Sequence, residues 1–187
     1  GNVLPDLLAL GVPCARLELN HRQDDEAEAL LHNVVDFKKL HSKPDLAFDQ
    51  SFCLHEMGTA EIKEAVTEEA VRRFAQGESV QVLSPYNNKG NLSAYALNMA
   101  IRDRVNPLEH GKMVLKRDKD SFRDNDRVII LQNDRERNCS NGDVGVLHIL
   151  RAEEKRVAYC VELPDGRCPT WDDASGLAQL SLAYCLT

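Results

Sequence analysis

The chain has 187 residues, 43% of them hydrophobic and 28% charged, and a formal net charge of −7, the balance of a soluble globular domain or of two small ones. The acidic excess excludes a surface that grips phosphates everywhere, although a local basic strip remains compatible with it. No apolar run approaches the roughly 18 residues that cross a bilayer, and Gly1-Asn2-Val3-Leu4-Pro5 has neither the basic start nor the apolar core of a secretion signal. No membrane partner and a cytoplasmic location are therefore expected.

In chain order, Leu4, Leu7, Leu8 and Leu10 mark a helical fragment stopped by Gly11. Cys14 to Leu19 then alternates apolar and charged residues as a half-buried strand does. After the loop Asn20-His21-Arg22-Gln23, a helix is expected to start near Asp24. Asp24, Asp25 and Glu26 would sit in its first turn, where the macrodipole favours negative charge, and Ala27, Leu30, Leu31, Val34 and Val35 would form its packed face. Lys43-Pro44-Asp45 ends it, and Ser51 to His55 is a short extended stretch. Thr59 is the expected cap of the next helix, whose Ile62, Val66, Ala70 and Phe74 recur every four residues before Gly77 closes it. Residues 80–85 read as a buried strand. The loop Tyr86-Asn87-Asn88-Lys89-Gly90 leads to Asn91, the expected cap of a helix running to about Arg104, which Asn106-Pro107 stops.

Strand, helix, strand, helix implies parallel strands with helical crossovers. Past Pro107 the period changes to that of strands. Met113 to Leu115, Arg127 to Leu131, Val144 to Leu150 and Val157 to Val161 are β-rich, and Asn141-Gly142-Asp143 and Pro164-Asp165-Gly166 are turn signals. Such spacing suggests a small antiparallel sheet or barrel. The run Leu180 to Thr187 reads as a further strand. The cysteines at 14, 53, 139, 160, 168 and 185 make no Cys-x-x-Cys pair, and reduced thiols are expected.

Four stretches, taken in order, resemble the RecD/TraA family of superfamily 1 DNA helicases. Gly1 to Leu8 resembles the tail of motif III. Leu17-Glu18-Leu19-Asn20-His21-Arg22-Gln23 resembles motif IV, with His21 where an aromatic is usual. Val80 to Gly90, followed by Leu97-Asn98 and Asn106-Pro107, resembles the family's strand-Thr-Pro-loop-Gly with its Leu-Asn and Asn-Pro marks, Ser84 replacing the usual Thr. Phe122 to Ile129 and Asn141 to Gly145 resemble the family's inserted SH3-like barrel, with Asn125 in place of the usual Gly. Leu182 to Thr187 resembles the strand that leads into motif V.

The resemblance implies an α/β fold: a partial RecA-like parallel sheet with helices over residues 1–106, rejoined by 181–187, and an inserted SH3-like antiparallel β-barrel over 107–180. It further implies an internal piece of the second motor domain, with ATP and Mg²⁺ as cofactors of the full-length protein and none bound to this piece. Single-stranded DNA, the first motor domain of the same protein, and other recombination or nuclease subunits are the implied partners, and travel is 5′ to 3′.

No Gly-x-x-x-x-Gly-Lys-[Ser/Thr] occurs in the sequence, so no ATP turnover is expected from the chain alone. Arg22 is the candidate catalytic residue. As an arginine finger it would reach the ATP γ-phosphate; a surface ion pair with Asp24 or Asp25 is the plainer alternative. Gln23 beside it is either a nucleotide contact or a structural hydrogen-bonding residue. Ser84, Pro85, Tyr86, Asn87, Asn88, Lys89 and Gly90 are the candidate single-strand contact, since free amides at the following helix start, together with Lys89, favour a phosphate. An ordinary strand-to-helix turn is the alternative there.

The barrel carries Lys112, Lys116, Arg117, Lys119, Arg123 and Arg127 with four aspartates interleaved, a faint basic strip or a solvated face. The resemblance implies that this barrel holds or guides the displaced strand. Asn141 and Gly142 are candidate DNA contacts within a turn, and Trp171 is either a base-stacking platform or core. The histidines make no zinc spacing and no metal is expected. A noncatalytic DNA-binding or protein-docking module, and a small hydrolase using Cys53 and His55, are the rival functions.

Overall fold

Helix α1, Thr59–Ala75, opens the described part of the computed structural model, which covers residues 55–117, 120–153 and 156–187. The expectations placed on residues 1–54, including Arg22, Gln23, Cys53 and the first strand, lie outside the described residues. From Met57 onward the chain forms one compact unit. Helix α1 starts one residue earlier than a Thr59 cap would place it. The Glu61 carboxylate accepts the Gly58 N–H at 3.0 Å, so Gly58 is the cap and Thr59 the first helical residue. Gly77, at φ 72°, closes the helix as expected.

Strand β1 is only Val82–Leu83, and Leu83 is 72% exposed, so the run at 80–85 is neither as long nor as buried as its hydrophobicity suggests. It pairs in parallel with β9, Cys185–Leu186, and Ser84 N–H extends the ladder to Leu186 O at 2.9 Å. Helix α2, Ala94–Val105, buries Ala94, Leu97, Asn98, Ile101 and Arg102, one face at 3.6-residue spacing. Its cap is Ser93, whose hydroxyl accepts the Ala96 N–H, and not Asn91, because the preceding loop continues through a further turn.

The rest is antiparallel. Strands β2, Val114–Arg117, and β3, Asp120–Arg123, form a hairpin. A five-stranded sheet runs in the order β7-β6-β5-β4-β8, from β4 (Arg127–Ile130), β5 (Val144–Glu153), β6 (Arg156–Glu162), β7 (Thr170–Trp171) and β8 (Leu180–Leu182). Alternate residues face inward: Val128 and Ile130, Leu147 and Ile149, Tyr159 and Val161, Leu180 and Leu182 are all buried. Trp171 joins them at 2% exposure, its ring stacked on Tyr159 with centroids 5.4 Å apart. It is core and not a base platform, because the sheet edge folds its ring inward.

Two positions show why the barrel-like motif has its spacing. Asn125 has φ 66°, a conformation that asparagine tolerates where glycine is the usual choice. A Cβ on Gly145 would lie 2.3 Å from the Glu162 carbonyl, so β5 and β6 meet there only without a side chain.

The run from Leu180 is two strands in two sheets. Ala183 and Tyr184 intervene, and Tyr184 turns its hydroxyl to Asp126 at 3.2 Å. Asp126 is fully buried. Its carboxylate also accepts Arg123 N–H at 2.7 Å and the Asn106 amide at 2.8 Å, with Arg102 3.9 Å away. Burial pushes this carboxyl above the usual range, against the pull of those donors. The Asn98 side chain donates to Cys185 O at 2.7 Å and accepts Cys185 N–H at 2.9 Å. Helix α2 is thereby fastened to β9 at one end and to the antiparallel unit at the other.

Candidate nucleic-acid interface

The loop 84–90 is shaped from within. The Ser84 hydroxyl, 6% exposed, donates to Leu92 O at 2.5 Å and accepts Tyr86 N–H at 3.2 Å. Tyr86 O accepts Ala94 N–H at 2.7 Å, and Asn87 O accepts Tyr95 N–H at 3.0 Å. Ser93 takes the next amide and also donates to Gly90 O at 2.8 Å. The first three amides of α2 are therefore occupied, which overturns the expectation of free amides waiting for a phosphate. The loop closes on its own helix start because a buried serine and two carbonyls reach those donors before any ligand can.

The side chains of the loop remain outward. Pro85, Tyr86, Asn87, Asn88, Lys89 and Gly90 are exposed, and Ser84 alone of the expected set is buried. The Asn87 and Asn88 amides and the Lys89 ammonium have no hydrogen-bond or ionic partner among the described residues. Beside them lies a cleft of about 470 Å³. Asn87, Asn88, Tyr95 and Met99 line it from the loop and α2, and β2, β3, β4, β8 and β9 supply most of the rest, with Arg117, Asp120, Ser121 and Ser181 among the polar groups. The Tyr95 ring is 47% exposed.

Four of the six cations of the basic strip, Lys112, Arg117, Arg123 and Arg127, are taken up within the domain. Arg117 donates to Leu177 O and Leu180 O, both at 2.7 Å, meets Asp120 at 3.3 Å, and covers the Phe122 ring at 5.1 Å. Arg123 holds Asn106 O at 2.8 Å and Asp103 at 2.7 Å. Arg127 bonds Ala183 O and lies over Phe74. Lys112 is engaged by Asn106 and Pro107. Lys116 is exposed and Lys119 lies outside the described residues. Lys112 and Arg123 are folded in at the C-terminal end of α2, Arg117 at the 3₁₀ turn Ser175–Gln179, and Arg127 at Ala183 between β8 and β9.

Asn141 and Gly142 sit on an exposed turn away from the cleft lining. Gly142 has φ 98° and gives its N–H to Ile130 O at 2.8 Å, and Asn141 N–H is taken by Asn133 at 2.7 Å. Both backbones shape the turn.

Tyr95 was missed in the sequence. Its signal is its position: it directly follows the first helical residue after the loop, off the stripe 94, 97, 98, 101, 102, so an aromatic there has no core to enter. Asp126 carries no signal of its own in the sequence, because four aspartates within nine residues look alike until the fold buries one. Among the described residues no helix is long and apolar enough to cross a membrane.

Residues 97–160 match the family model of the SH3 domain of ATP-dependent RecD-like DNA helicases. Among solved structures, the chain is similar to one that concerns DNA unwinding at forked double-stranded DNA by two coordinating Pif1 helicases, at 14% identity and TM-score 0.43, covering 91% of this chain and 38% of that one. A double mutant of the Bacteroides Pif1 helicase is similar at 14% identity and TM-score 0.41, over 91% of this chain and 41% of that one. The chain thus spans about two fifths of the length of these helicases.

Proposed function

We propose that the chain, whose residues 97–160 match the family model of the SH3 domain of RecD-like helicases, is a working segment of an ATP-dependent DNA helicase and that it contributes a single-strand contact. The observation that supports the contact is the cleft itself. It joins the loop after β1, the start of α2 and the antiparallel unit, and its loop wall presents polar side chains without partners among the described residues. Lys89 at the loop tip adds one cation to which a phosphate can bind.

In this reading the whole protein binds ATP with Mg²⁺ and its hydrolysis drives the cycle. Arg22 and Gln23 serve that nucleotide from the second motor domain, across from a first motor domain elsewhere in the protein. Travel is 5′ to 3′, and the recombination and nuclease subunits remain the candidate further partners. The chain by itself has no phosphate loop in its sequence, so it binds DNA without turning over ATP.

Two measurements test the reading. Titration of the 187-residue chain into labelled single-stranded DNA at low salt is expected to saturate; no saturable signal removes the single-strand contact. In the complete helicase, Arg22→Ala is expected to slow ATP hydrolysis by about 10³-fold or more with DNA affinity nearly unchanged. Unchanged hydrolysis takes the arginine-finger role away from Arg22.

A further inference from the structure

We infer that the cleft takes the unpaired bases of a single strand and not its phosphodiester backbone, with Tyr95 as the stacking platform and Asn87 and Asn88 as the hydrogen-bonding edges. The inference rests on the single-strand reading above and says which part of the strand this site recognises.

Charge is the first reason. The charged side chains lining the cleft are Arg117 and Asp120, which pair at 3.3 Å. The Arg117 guanidinium is further committed to two main-chain carbonyls at 2.7 Å. A phosphate entering the cleft would therefore meet a neutralised wall. The second source of phosphate affinity, the amides at the start of α2, is closed by Tyr86 O, Asn87 O and the Ser93 hydroxyl. What the cleft offers, beside the Ser121 and Ser181 hydroxyls, is a half-exposed phenol ring and two carboxamides without partners among the described residues. Each carboxamide presents a donor and an acceptor side by side, the pattern that the edges of bases complement. A π-face that is sequence-tolerant, beside amides that can turn to suit, fits any base. The 470 Å³ volume falls within the range of roughly 300–1,000 Å³ of small-molecule sites, suited to one or two bases and not to a long tract.

The test compares two ligands. The chain is titrated by fluorescence anisotropy with a labelled thymidine oligonucleotide of about 12 nucleotides, within ordinary single-strand site sizes, and with an oligonucleotide of the same length made of abasic sites. The thymidine strand is expected to bind at least about tenfold more tightly. Tyr95→Ala is expected to weaken it by about 5- to 150-fold, the loss of one stacked base, while leaving the abasic strand untouched, and Tyr95→Phe is expected to restore binding. Affinity for thymidine should fall only shallowly with salt, with a log–log slope near the roughly −0.7 of a single phosphate contact. Equal affinity for the two strands, or a Tyr95→Ala variant that folds normally and binds thymidine as before, overturns the inference and leaves the single-strand reading standing. Binding to neither strand at low salt removes that reading and the inference with it.

Discussion

Four of the five asparagines between residues 87 and 106 do opposite things. Asn98 and Asn106 are buried with their amides engaged, one clasping both main-chain groups of Cys185, the other bridging to Asp126. Asn87 and Asn88 are exposed beside the cleft with no such partners among the described residues. The difference teaches that a polar residue supports the fold when its donors and acceptors are satisfied in a buried place, and is available to a ligand when they are not. The Leu-Asn and Asn-Pro marks of the sequence belong to the first kind: they fasten α2 between β9 and the antiparallel unit.

The comparison breaks most visibly at the buried end. Asp126→Ala is expected to destabilise the protein by about 3 kcal/mol, since it strands the Tyr184 hydroxyl, the Asn106 amide and the Arg123 N–H in the interior. Urea denaturation measures this, and a loss below about 1 kcal/mol would remove the hub. The same site has a signed pH dependence. Its folded-state carboxyl lies above the ordinary range because of burial. The stability it contributes is therefore complete below the unfolded-state value and is lost as pH rises through the folded-state value. Asp126→Asn removes that titration, so wild type should gain stability relative to this variant as the solution is acidified from neutral. A gap that shrinks on acidification gives the opposite sign and contradicts the assignment.

Asn98→Ala is expected to cost about 2 kcal/mol by leaving Cys185 N–H and C=O unpaired in a buried strand. Faster amide hydrogen exchange at Cys185 would locate the damage, and unchanged exchange there would mean that β9 is held by other contacts. At the exposed end, replacing Asn87 and Asn88 together by alanine should move the thermal midpoint hardly at all, within about 0.5 kcal/mol. Large destabilisation would place these two with the structural asparagines and empty the contrast.

The helical part was readable because its signals are local. Ile62 to Phe74 and the stripe from Ala94 to Arg102 have the helix period, and Gly77 and Pro107 are unambiguous stops. The β-rich runs after Pro107 were readable for the same reason, and their antiparallel pairing follows from closely spaced turns. The strand β3 was not, since Asp120-Ser121-Phe122-Arg123 has one apolar residue and becomes a strand only by pairing with β2. The division of Leu180 to Thr187 between two sheets was equally hidden, because a continuous apolar run does not say which neighbour each half will find.

The amino-acid order by itself determined the elements, the change from helical to strand period near residue 107 and the resemblance of the motifs, all properties of nearest neighbours along the chain. The tertiary structure alone decided which polar groups were left over. Whether Arg117, Trp171, Ser84 or Tyr95 faces a ligand depends on what lies across from it, and such partners are distant in the chain, as Leu180 is 63 residues from Arg117. Free hydrogen-bonding capacity is a remainder after folding, and a remainder is known only when every nearby donor and acceptor has been placed.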